Sequence, residues 1–107
     1  MSKRLSRKLK ASFVLAIAAH VADIGTTTAC TTPGWCRETN PALRWAQDNP
    51  LALSLTKGLM AGTLQLVPYH LATSGHPKAA LIFNIAQTGA FTYIAVRNAR
   101  FSRNQPR

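Results

Sequence analysis

The sequence predicts an all-α membrane protein, a bundle of three transmembrane helices with a short interfacial helix in the first connection. Three observations carry that reading. First, three apolar blocks, 11–29, 51–69 and 79–96, each run 18–19 residues, close to the ~20 residues with which an α-helix crosses hydrocarbon. Second, of sixteen charged residues only Asp23 and Lys57 fall inside those blocks, whereas a soluble amphipathic helix carries charge along its wet face at every turn. Third, most of the basic residues behind the net charge of +10 flank the blocks: Lys3, Arg4, Arg7, Lys8 and Lys10 before the first, Arg97, Arg100, Arg103 and Arg107 after the third. Such clusters suit a bilayer with anionic headgroups. The chain holds no nucleic-acid-binding motif, so the charge points to lipid and away from nucleic acid. A basic soluble three-helix bundle is the alternative. A chain of 107 residues makes one domain, 1–107.

The basic N-terminal segment 1–10 and the apolar run FVLAIAAHVA that follows have the layout of a signal peptide. The residues before Asp23, His20-Val21-Ala22, make a poor small-x-small cleavage site, and Thr27-Thr28-Ala29-Cys30 lacks the leucine of a lipoprotein box. The block 11–29 is therefore expected to stay as a membrane anchor. The connection that follows turns polar at Pro33-Gly34. Asn40-Pro41 reads as an N-cap with proline at the first helical position, opening a short helix over 41–47. Leu43 and Trp45 suggest that it lies at headgroup level, where Trp is favoured. Asn49-Pro50 repeats the same pattern and opens the second block.

That second block, 51–69, contains Lys57, Gln65 and Pro68. Pro68 is expected to kink or end the helix. Gly58 and Gly62 form a G-x-x-x-G pair of the kind that lets another helix approach closely. A connection broken at Gly75 and Pro77 leads to the third block, 79–96, which holds Asn84, Gln87 and Thr88 but no charge. The basic tail 97–107 starts helical and then frays.

The polar residues within the blocks form stripes. His20, Asp23 and Thr27 are spaced i, i+3, i+7 and share one helix face; Ser54, Lys57, Ala61 and Gln65 do the same, and Asn84, Gln87 and Thr88 cluster on one side. One polar stripe per helix is what a common interior requires. Consecutive helices run antiparallel, so Asp23, three residues past the centre of its block, and Lys57, three before the centre of its own, lie roughly 4–5 Å from the midplane on the same side. A lone charge there costs ~2.5–3.5 kcal/mol, so an Asp23–Lys57 ion pair is expected. His20 and Gln87 both fall near the midplane, where a hydrogen bond can join the first and third helices.

Cys30 and Cys36 stand six apart around Pro33-Gly34, a spacing compatible either with a disulfide or with two free thiols. Two thiols and His20 ten residues earlier do not match a zinc-ligand spacing. No nucleophile–base set, phosphate loop or carboxylate pair is recognisable, so no catalytic, cofactor or metal site is expected, and the chain reads as a non-enzyme. Orientation is undecided by charge. With the N-terminus inside, both faces carry six basic residues, leaving no positive-inside bias; the disulfide option favours the connection 30–50 outside.

An Asp followed by threonines late in the first helix, an E-x-N-P connection, a Lys early in the second helix and an Asn in the third stand here as Asp23-Ile24-Gly25-Thr26-Thr27, Glu38-Thr39-Asn40-Pro41, Lys57 and Asn84. In that order and spacing, over about residues 13–97, the chain resembles domain-of-unknown-function family 5658, small multi-helix proteins of bacterial membranes. The basic ends and the cysteines lie outside the pattern. The resemblance implies a multi-pass protein of the bacterial inner membrane and no particular activity.

Three function classes are expected to compete. The first is a non-catalytic accessory subunit packing against other membrane-protein helices or against itself. The second is a homo-oligomeric small transporter or channel using Asp23 and Lys57. The third is a phage-type holin, suggested by length, three helices and the basic tail.

Overall fold

The computed structural model describes residues 2–31, 33–35, 41–46 and 49–103. Three α-helices make up most of it: α1, Lys3–Thr31; α2, Pro50–Thr73; and α3, Pro77–Arg103, with a short 3₁₀ helix, Pro41–Ala46, before α2. No strand occurs among the described residues.

Each helix is delimited by local chemistry. Ser2 caps α1, its hydroxyl oxygen accepting the Leu5 N–H at 3.0 Å. At the far end Gly34 takes φ +79°, its N–H bonds the Thr31 carbonyl at 2.9 Å and the Trp35 N–H bonds the Cys30 carbonyl at 3.0 Å. That pair of bonds is a Schellman turn, which satisfies two end carbonyls and needs the left-handed residue that glycine supplies. Asn49 caps α2 by accepting the Ala52 N–H at 3.1 Å, with Pro50 at the first helical position. Gly75, at φ +86°, lets the His76 N–H reach the Leu71 carbonyl at 2.8 Å, and Pro77 then opens α3.

Two sequence expectations need correction. The helix of the second block does not end at Pro68; it runs through the buried proline to Thr73, because a proline removes one ladder bond and the residues beyond it restore the ladder. The basic tail starts helical as expected, 97–103 being the last turns of α3, and 3–10 form the first turns of α1. Most consequentially, two helices, α1 and α3, are long and apolar enough to cross a membrane, not three. Lys57, Gln65, Pro68 and the Ser/Thr/Gly positions dilute α2 below that level.

α1 packs chiefly along α3, and α2 rests more lightly on both. Cross-helix contacts rise together along α1 and α3 (Ser12 to Asn84, Thr27 to Asn98), so these two run parallel; α2 is antiparallel to α1. Ala16, Ala19, Ala80 and Ala95 are buried, small side chains that let backbones approach. The 3₁₀ helix closes one end of the bundle: Leu43 and Ala46 pack on Leu53, while Trp45 stays 71% exposed.

The partition of polarity is inverted relative to a soluble domain. Buried positions include Ser12, His20, Asp23, Thr27, Lys57, Asn84, Gln87 and Asn98. Exposed positions include Val14, Leu15, Ile17, Val21, Leu55, Leu59, Leu66, Ile82 and Ile85. Only 33% of the most apolar stretch of α1 and 22% of that of α3 are buried, where the core helix of a soluble protein would be mostly covered.

Candidate functional site

The buried polar side chains form a column down the bundle interior. At its centre is Asp23, 2% exposed, with Lys57, 9% exposed. The Lys57 ammonium donates to Asp23 Oδ2 at 3.0 Å, and the Thr27 hydroxyl, one turn on, donates to Oδ1 at 3.0 Å. Thr27 Oγ1 in turn accepts Asn98 Nδ2–H at 2.8 Å. One carboxylate thus ties all three helices: α1 carries it, α2 pairs with it and α3 reaches it through Thr27. Both its oxygens are served, which is the condition for a buried charge to be tolerated.

A second group lies toward the N-terminal half of α1. His20 Nε2 sits 2.8 Å from Gln87 Oε1, and Gln65 Nε2 donates to the same oxygen at 3.1 Å. Gln87 Nε2 donates to Asn84 Oδ1 at 3.3 Å, Asn84 Nδ2 to Ser12 Oγ at 3.0 Å, and the Ser12 hydroxyl to the Leu9 carbonyl at 2.6 Å. The direction of this chain is forced from one end. A backbone carbonyl only accepts, so Ser12 must donate to it; Asn84 must then present its amide nitrogen to Ser12, and Gln87 its nitrogen to Asn84. Gln87 Oε1 is left as an acceptor, and His20 Nε2 therefore carries a hydrogen. The His20 ring also lies against Phe91, centroids 4.0 Å apart.

Of the residues singled out from sequence, the structure brings His20, Asp23, Thr27, Lys57, Asn84 and Gln87 into these two groups. Ser12, Gln65 and Asn98 join them. Gln65 belongs to the polar stripe of its own block; Ser12, in the first block, and Asn98, in the basic tail, stand in none of the stripes read from the sequence. Continuing the helical period would have found both: Ser12, Ala16, His20, Asp23, Thr27 on α1 and Asn84, Gln87, Phe91, Ala95, Asn98 on α3 each advance by three or four. Gln65 Oε1 is buried without a hydrogen-bond partner.

Other candidates fall apart from the column. Gly58 and Gly62 are exposed, and a Cβ on either would meet nothing within 4 Å, so among the described residues no helix uses the G-x-x-x-G pair. Cys30 is buried and disulfide-bonded. Cys36, Glu38 and Asn40 lie outside the described residues, and Pro41 begins the 3₁₀ helix. Among the described residues no group of three His, Cys, Asp or Glu could hold a metal ion.

No protein family, characterised protein or solved structure matches this chain.

Proposed function

We propose that this chain is a small, non-catalytic integral membrane protein, a three-helix unit that serves as an accessory or interaction subunit for other membrane helices. The observation that carries the reading is the inverted partition: a buried ion pair and amide column inside, Val, Leu and Ile outside. Water would reward the opposite arrangement, and hydrocarbon rewards this one. On this reading α2 is also immersed. Its outward residues Leu51, Leu55, Leu59, Leu66 and Val67 are apolar, while Lys57 and Gln65 are turned to α1 and α3, so the groups that lower its hydropathy do not meet lipid. The resemblance to family 5658 belongs to the same proposal, since its Asp, Lys and Asn positions, Asp23, Lys57 and Asn84, are all members of the column.

A bacterial inner-membrane location predicts that the expressed protein stays with the membrane fraction after alkaline carbonate washing; release would sink the reading. The outward Gly58 and Gly62 favour a partner helix, in a foreign subunit or in a second copy. The second copy underlies the other reading, a homo-oligomeric transporter, since three helices are too few to enclose a path. Native mass spectrometry in detergent separates the two: a heteromeric complex supports the accessory subunit, a closed homo-oligomer the transporter.

A further inference from the structure

Between α1 and α3 a trough runs along the surface, and its character changes along its length. Its apolar part, about 370 Å³, is lined from α1 and α3 alone, with Ala18 and Ala22 on one wall and Thr88, Thr92, Ala95 and Ala99 on the other. Small side chains at i, i+4 on both helices keep the floor low. Ala99 also borders a second hollow of about 390 Å³ with Thr26, Ala29, Trp35, Ser102 and Arg103. Val96, Ala99, Arg100 and Arg103 line a third, about 300 Å³. The shared residues make the three one continuous groove, apolar in the middle and ending in two hydroxyls, an indole and two guanidiniums.

We infer that this groove is a binding site for one anionic glycerophospholipid, its acyl chain in the alanine trough and its phosphate at Arg100 and Arg103. Four observations support that occupant. The apolar part from Thr88 to Ala99 spans ~16 Å at the helical rise, about half of a ~30 Å hydrocarbon core, so it accepts a chain from one leaflet. The charge at the mouth has no acidic counterpart among the described residues: Asp23 is the sole acid there, and both its oxygens are taken inside the bundle. The cations of this end of α3 are all arginine, Arg97, Arg100 and Arg103, and arginine's fork matches phosphate oxygens. Finally, the Schellman turn at Gly34 holds Trp35, 38% exposed, at the same level, and Trp is the residue that favours the glycerol and headgroup zone.

The inference rests on the membrane reading above, and the test separates the two. Protein carrying Trp45→Phe, which leaves Trp35 as its one indole, is reconstituted into phosphatidylcholine vesicles doped with chain-brominated phosphatidylglycerol or chain-brominated phosphatidylcholine. Bromine quenches an adjacent indole. A bound anionic lipid gives half-maximal Trp35 quenching at a roughly tenfold lower mole fraction of the brominated phosphatidylglycerol. Adding Arg100→Gln and Arg103→Gln makes the two lipids equal, and filling the trough with Ala22→Leu and Ala99→Leu weakens quenching by both without altering charge. Equal quenching by the two lipids in the parent, with the protein floating with the vesicles, overturns the site and leaves the membrane reading intact. Protein that neither floats nor is quenched overturns both.

Discussion

The α1–α3 pair and the α2 that leans on it are held by different means. α1 and α3 meet along their lengths through alanines, with Ser12–Asn84 and Thr27–Asn98 hydrogen bonds as punctuation. α2 buries little apolar surface against them, Leu53 and Pro68 being its buried apolar positions. It is joined at three levels by polar contacts: Ser54 with Thr28 at 3.3 Å, Lys57 with Asp23 at 3.0 Å and Gln65 with Gln87 at 3.1 Å. The lesson is a division of labour. On the membrane reading proposed above, apolar surface gains nothing by leaving one hydrocarbon for another, so close-fitting small residues join two helices and polar groups seeking partners recruit the third.

Substitutions test that contrast. The largest effect is expected from Asp23→Leu, which takes the carboxylate away from the buried Lys57 ammonium and should cost ~3–5 kcal/mol of stability, read by thermal or SDS unfolding in detergent. Asp23→Leu combined with Lys57→Met should recover most of it, because an apolar pair leaves no charge unpartnered. A parent-like Asp23→Leu would mean that the ion pair does not hold α2. Next, Asn98→Ala should weaken the α1–α3 pair by ~0.6–1.7 kcal/mol, the range of interhelical hydrogen bonds in membranes, while a cross-link between cysteines introduced in α1 and α2 stays as efficient as before.

Smaller again are Gly58→Ala and Gly62→Ala. With open space at both positions, each should stabilise the isolated chain by up to ~1 kcal/mol through helix propensity. A loss of stability or of a co-purifying partner would instead reveal a helix seated on that face. The least effect belongs to Gln65→Leu: it removes one hydrogen bond and one unpartnered carbonyl oxygen together, and the change should stay within about 1 kcal/mol.

Much of the column was legible because polar residues within the apolar blocks are few and each needs a partner. Asp23 and Lys57 were the only charges in the blocks and matched in depth; the structure sets them 3.0 Å apart. His20 and Gln87, matched near the midplane, stand 2.8 Å apart. What escaped lies where composition and periodicity disagree. Asn98 follows Arg97 and looks like tail, yet its face continues that of Asn84 and Gln87. The run of α2 past Pro68 to Thr73 goes beyond the kink or end expected there, because a helix already begun loses one bond at proline and goes on. The unequal packing of the three helices was not legible at all, since alanine content says that helices can approach but not which pair will.

The orientation of the Ser12–Asn84–Gln87–His20 chain has an electrical consequence. Two of its four links are carboxamides, and a carboxamide nitrogen does not surrender one hydrogen while accepting another as a hydroxyl or water does. With the Leu9 carbonyl fixing the sense of every donor, reversing the chain would require each amide to turn over against its neighbours. That chain is therefore suited to fastening helices and not to relaying protons along its amides.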